Sequence, residues 1–200
     1  MFYRFARFLM KIVFTIKYKL DIHGNTRLPE TPLVICANHI NLWDPILLAI
    51  IFDRPIRFMA KKELFEIPVL RNILKAAGVF PINRQGNDLK ALRYAIGLIK
   101  DGKTLGIFPE GTRVKQISRD NMHEGVGFIA LKAKADILPI EIVTNYKLFS
   151  RVDIYVKEPI DIRKFQEIKN KEAMNMISDE IFENIYEHRN VLERENNGNN

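Results

Sequence analysis

His39 and Asp44 are the first residues in this chain whose types and spacing can do chemistry. They lie in the run Cys36-Ala37-Asn38-His39-Ile40-Asn41-Leu42-Trp43-Asp44-Pro45. A histidine ordinarily titrates near pH 6.5, so it can accept a proton at neutrality. A carboxylate beside it can fix its tautomer and stabilise the imidazolium as it forms. Two further clusters add cations, Pro81-Ile82-Asn83-Arg84 and Pro109-Glu110-Gly111-Thr112-Arg113, and Lys61 follows the apolar stretch at 56–60. Arginine's planar fork suits phosphate because it offers two parallel hydrogen bonds, and Gly111 lets backbone come close to a ligand. A base, an orienting acid and several cations describe a site for an anionic substrate, most naturally a phosphate.

Each cluster ends an apolar run that reads as a strand: 33–37, 56–60, 79–82 and 104–108. Asp44-Pro45 reads as a helix start, with Asp44 as N-cap and Pro45 in the first turn. Further helices are expected over 68–77, from an Asn87 cap to Lys100, and over 125–135. A last amphipathic helix is marked by Met174, Ile177, Ile181, Ile185, His188 and Leu192. Residues 18–22 suggest an edge strand, 137–143 and 152–156 two more, and 114–124 a mobile polar loop. The alternation predicts a single α/β domain over 21–194, with a mixed, mostly parallel sheet flanked by helices, and a disordered tail over 195–200. In such a sheet the strand ends share one edge, where the clusters can meet in a crevice.

The net charge of +7 is uneven, because residues 1–20 hold Arg4, Arg7, Lys11, Lys17 and Lys19 and no acid. A nucleic-acid binder would carry its basic residues on the folded domain, so nucleic acid is not the expected partner. The same segment is rich in Phe, Ile, Leu and Met, yet its charges leave no apolar run long enough to span a bilayer. As a helix it places Arg4, Arg7 and Lys11 on one stripe, the pattern of an amphipathic helix lying in a membrane interface. The alternative is a helix docked on the domain's own core. No small-residue cleavage site follows, which argues against a signal peptide. One cysteine excludes an internal disulfide, and His23, His39, His123 and His188 show no metal-ligand spacing, so no metal is expected.

Asn38-His39-x4-Asp44, Gly78-Val79-Phe80-Pro81-Ile82-Asn83-Arg84, Phe108-Pro109-Glu110-Gly111-Thr112-Arg113 and Ile137-Leu138-Pro139-Ile140 together resemble the four ordered motifs of glycerolipid acyltransferases. The likeness is greatest to the bacterial 1-acylglycerol-3-phosphate (lysophosphatidate) acyltransferases, and it covers roughly residues 15–160. An H-x4-D alone arises often by chance; four motifs in order do not. The resemblance implies that His39 is the general base for the acceptor's free hydroxyl and that Asp44 orients it. It also implies that Lys61, Arg84 and Arg113 hold the acceptor's phosphate, that Glu110 and Gly111 help position its glycerol part, and that Thr112 is among the substrate-binding residues. The acyl donor would be a thioester of acyl carrier protein or coenzyme A, serving as co-substrate with no further cofactor. The enzyme would sit on the cytoplasmic face of the cell membrane, peripheral or monotopic, where its lysophosphatidic acid substrate resides.

Three positions depart from that pattern. Asn41 and Val114 stand where serines are usual, and His123-Glu124-Gly125 replaces a lysine-glycine. They bear on acceptor preference more than on the base and acid. Rival readings are an acyltransferase for glycerol-3-phosphate or another lysophospholipid, and a catalytically silent lipid-binding protein. A hydrolase would need a nucleophile, and the one on offer, Cys36, sits inside an apolar strand and reads as a small buried hydrophobe. Trp43 fits an acyl chain, the interface or the core equally well.

Overall fold

The computed structural model describes residues 2–83, 86, 88–114 and 116–189. Helix α1 (Phe2–Lys17) leads into β1 (Lys19–His23), followed by β2 (Leu33–Ala37), α2 (Asp44–Ile51) and β3 (Ile56–Lys61). Then come α3 (Pro68–Ala76), β4 (Phe80–Ile82), α4 (Leu89–Lys100), β5 (Thr104–Ile107) and α5 (Gly125–Ala133). Strands β6 (Asp136–Val143) and β7 (Arg151–Val156) precede the last helix, α6 (Asn170–Ile185). The seven strands form one sheet in the order β1-β7-β6-β2-β5-β3-β4.

Five neighbouring strands, β6, β2, β5, β3 and β4, are mutually parallel. β7 turns antiparallel to β6, and β1 pairs parallel with β7. Every residue of β2 is buried, as a central parallel strand covered on both faces must be. One face packs against α4, α5 and α6 through Ala95, Ile99, Val126, Ile129, Ile177 and Ile181. The other packs against α1 and α2 through Phe14, Leu47, Leu48 and Ile50. The connections β2–α2–β3 and β4–α4–β5 run in opposite directions along the sheet, and right-handed crossovers put their helices on opposite faces. All five parallel strands therefore end at one edge, and the chain leaves that edge at residues 38, 62, 83, 108 and 144.

Several local expectations are corrected. Asp44 is not the N-cap: that position falls on Trp43, which makes no side-chain cap, and Asp44 is the first helical residue. The cap of α4 is Asp88, whose side chain accepts from the Ala91 N–H, while Asn87 lies outside the described residues. Helix α5 ends at Ala133 because Lys134 adopts the left-handed conformation that closes a C-terminus. The 114–124 loop contains a 3-10 turn over Arg119–Asn121, and Arg119 bonds the Asp179 carboxylate of α6 at 2.5 Å. Tyr18 belongs to the core below α1 and not to the edge strand. Leu192 and the 195–200 tail lie outside the described residues.

Helix α1 both docks and exposes. Phe14 is fully buried, worth about 1.5–3 kcal/mol for a side chain of its size, and it meets Trp43 edge-on at 5.7 Å. Arg7 turns inward, bonding the Ile50 carbonyl and pairing with Asp53 at 3.2 Å. The basic stripe read from the sequence is thereby broken. The outer face is instead apolar, with Phe5, Phe8 and Ile16 each about two-thirds exposed beside Leu9 and Ile12, and Arg4 and Lys11 flank it.

Candidate active site

At the end of β2 the chain must leave the sheet without stranding its hydrogen bonds. Asn38, fully buried, solves this with its side chain: Nδ2 donates to the Ile142 carbonyl at 2.9 Å, and Oδ1 accepts from the Ile142 N–H at 2.7 Å. The amide acts as one more strand residue against β6, and the turn that follows starts from a fixed point. Residues 39–43 then fold over the Asp44 carboxylate. Its Oδ2 accepts from the Ile40 and Asn41 N–H groups, each at 2.7 Å, and from His39 Nδ1–H at 2.9 Å. The carboxylate that was expected to cap the helix forward closes the preceding turn instead, and orients His39 in doing so.

With Nδ1–H donated to Asp44, the lone pair of His39 lies on Nε2, which has no hydrogen-bond partner among the described residues. The His39 ring stacks on Phe108 with centroids 4.2 Å apart, and Phe108 stacks in turn on Phe58 at 5.8 Å. The ring is therefore held by one charged hydrogen bond and one flat contact, leaving little rotational freedom at its basic nitrogen.

The loop after β5 is built around the same histidine. The Val114 N–H donates to the His39 carbonyl at 3.1 Å, and the Gly111 N–H bonds back to Phe108. Gly111 has φ +64 and lies against His123; a Cβ there would come within 2.9 Å of the His123 ring. Only glycine suits both the left-handed backbone and that contact. Glu110, in contrast to Thr112 and Arg113 after it, is buried. Its Oε1 accepts from the His39 N–H at 3.2 Å and from the Tyr186 hydroxyl at 2.5 Å. Its Oε2 is buried with no partner among the described residues, and burial raises the carboxyl above the usual range. The resemblance puts Glu110 among acceptor-binding residues; here its carboxylate lies under the histidine turn as a support.

Thr112 and Arg113 are exposed on that loop. Lys61 ends β3 in register with Ile82 of β4, is exposed, and sits 3.6 Å from Glu63. Arg84 lies outside the described residues. The strand-end geometry thus brings the loops of His39, Lys61 and Arg113 to one edge. Cys36 is fully buried in β2, where burial and the nearby Glu110 charge push its thiol well above its ordinary value. A nucleophilic thiolate is disfavoured there.

Sequence reading missed two tyrosines. Tyr186, just past α6, braces Glu110. Tyr146, three residues beyond β6, donates its hydroxyl to Asp44 Oδ1 at 2.6 Å. The signal for Tyr146 was available: every other strand ending at this edge delivers a polar group, and β6 ends there too.

The acyltransferase family profile matches residues 19–143. The chain belongs to the acyltransferase family. Among similar members is the 1-acyl-sn-glycerol-3-phosphate acyltransferase of Bacillus subtilis, 27% identical over 199 residues, spanning 96% of this chain and 99% of that one. The enzyme of the same name from Borreliella burgdorferi is 28% identical over 179 residues, covering 84% of this chain and 72% of its own. In fold, this acyltransferase is similar to the crystal structure of the 1-acyl-sn-glycerophosphate acyltransferase PlsC from Thermotoga maritima. The TM-score is 0.73 at 22% identity, covering 96% of this chain and 79% of that one.

Proposed function

We propose that this acyltransferase moves a fatty acyl group from a thioester to the sn-2 hydroxyl of 1-acyl-sn-glycerol-3-phosphate, producing phosphatidate. The observation that carries the reading is the His39–Asp44 pair at 2.9 Å, with Nε2 as the free basic nitrogen at the edge where the parallel strands end. The acceptor hydroxyl donates its proton to Nε2 as its oxygen attacks the thioester carbonyl. The tetrahedral intermediate collapses, the C–S bond breaks, and the thiolate leaves with the proton that the imidazolium returns. Asp44 holds the ring in one tautomer throughout and offsets the charge it gains. No side chain needs to carry the acyl group, in keeping with the buried, unreactive Cys36.

Arg113 and Lys61, exposed cations at that same edge, suit the acceptor's phosphate, and Arg84 joins them by sequence position. The donor is a thioester of acyl carrier protein or of coenzyme A. No helix among the described residues is long and apolar enough to cross a membrane. Attachment to the cytoplasmic face falls to α1, whose exposed apolar face and flanking Arg4 and Lys11 match an anionic bilayer surface.

The test is acyl transfer by purified protein in detergent, offered lysophosphatidate, glycerol-3-phosphate and neutral lysophospholipids with each thioester. Phosphatidate from lysophosphatidate, with little product from the others, is the expected result; no acylation of lysophosphatidate with either donor contradicts it. In the same assay Arg113→Ala should raise KM for lysophosphatidate about tenfold, because a charged phosphate contact is lost. An unchanged KM would remove Arg113 from the phosphate site.

A further inference from the structure

Asp44 has two oxygens and divides its partners unequally between them. Oδ2 takes His39 Nδ1–H and two backbone N–H groups, while Oδ1 takes, among the described residues, the Tyr146 hydroxyl alone, at 2.6 Å. The carboxylate is fully buried. Without the phenol, Oδ1 would be a buried charged oxygen with no donor, a costly arrangement. The carboxylate plane would then be fixed from one side only.

The loop between β6 and β7 is built to bring that phenol in. Tyr146 has φ +53, a left-handed backbone that an aromatic residue keeps only where its surroundings hold it. Its N–H donates to Thr144 Oγ1 at 3.1 Å, and the Thr144 hydroxyl donates to the Arg151 carbonyl at 3.0 Å. The Tyr146 ring meets Tyr18 edge-on at 5.7 Å. The end of α1 is stitched to the same loop by Phe149 N–H to the Lys17 carbonyl at 2.7 Å and Lys19 N–H to the Ser150 carbonyl at 3.0 Å. A strained residue at a buried charge, braced from three directions, is the kind of outlier that accompanies function.

We propose that Tyr146 is a positioning residue for acyl transfer, holding Oδ1 of Asp44 so that Oδ2 stays aligned with His39. It touches no substrate and carries no proton in the reaction. The inference rests on the reading of His39 as base. Burial and the Asp44 charge keep the phenol protonated, so it serves as a donor at all working pH. The other ionisable groups facing the ensemble are Tyr18 packed on Tyr146, Arg189, whose charge reaches Tyr146, and Glu110, which accepts from the His39 N–H.

Tyr146→Phe removes one oxygen and leaves the ring on Tyr18. It should lower kcat roughly tenfold to a hundredfold, the size expected for one hydrogen bond to a charged group. KM for either substrate should stay within about twofold. The pH–rate profile should change in a defined direction. With the carboxylate fixed from one side only, Oδ2 pairs less well with His39 Nδ1–H and stabilises the imidazolium less, so the acid limb moves to lower pH. A merely structural loss would lower the melting temperature or the active fraction without moving that limb. Thr144→Val is the second variant: it frees the Tyr146 backbone, keeps the phenol, and should shift the acid limb the same way by less, whether or not Tyr146→Phe folds. If both variants keep the wild-type kcat and acid limb while His39→Ala is inactive, Tyr146 has no positioning role and the base assignment stands. If His39→Ala retains wild-type turnover, both fall together.

Discussion

Glu110 shows how a single residue of the Phe-Pro-Glu-Gly-Thr-Arg run serves the site from beneath. Its carboxyl is buried, and its ordinary titration near pH 4.3 is displaced upward by desolvation. The native state therefore holds that proton to higher pH than the unfolded chain. Stability attributable to Glu110 is lost as pH rises from about 4.3 through its raised native value. Glu110→Gln keeps an acceptor for Tyr186 and for the His39 N–H but cannot ionise. Urea unfolding at pH 4 and pH 7 should show the variant gaining stability relative to wild type as pH rises. A relative loss over that interval would mean that the charged form is the one the fold prefers. At this scale the sequence was informative for His39 and Asp44, because base and acid types at a strand-to-helix turn imply their partnership. It was silent on Glu110's burial, which depends on Tyr186 arriving from 76 residues away.

Among the elements, α1 is the one we propose for contact with the membrane. Its inner face is used up by Phe14, Met10 and Arg7 against α2, and the proposed membrane contact therefore belongs to the outer face of Phe5, Phe8, Leu9, Ile12 and Ile16. Replacing Phe8 and Ile12 together by Glu leaves the docked face intact. Binding to anionic vesicles should fall by about tenfold or more, because each side chain forfeits its transfer from water and a carboxylate is repelled by the surface. Co-sedimentation measures it, and unchanged binding by a folded double variant would place the anchor elsewhere. Amphipathicity was legible in the sequence, but the direction of each stripe was not. The inward turn of Arg7 is met by the Ile50 carbonyl and by Asp53, at and just past the C-terminal end of α2, and periodicity alone carries no such information. The same holds for α2, where Asp44-Pro45 spelled a cap and the carboxylate was claimed instead by the turn before it.

On the scale of the whole molecule, alternating apolar runs and helical periods were enough to predict a mostly parallel α/β sheet. Fully buried β2, between two parallel neighbours, has the continuous apolar sequence that such a position demands. Strand order was not legible, since nothing local to β5 says that it inserts between β2 and β3. That order is what joins the four motifs: it sets the 108–114 loop against His39 and brings β6 near enough for Tyr146 to reach Asp44. The central claim is that this assembled edge makes His39 the base for acylating lysophosphatidate. Its most direct test is phosphatidate formation by wild type and His39→Ala under saturating substrates, with circular dichroism and melting temperature confirming that both are folded. The account predicts readily measured turnover in the wild type and a loss of at least about a thousandfold in the variant, since general-base catalysis and the tautomer-fixed contact go together. A folded His39→Ala protein turning over at near the wild-type rate would contradict it.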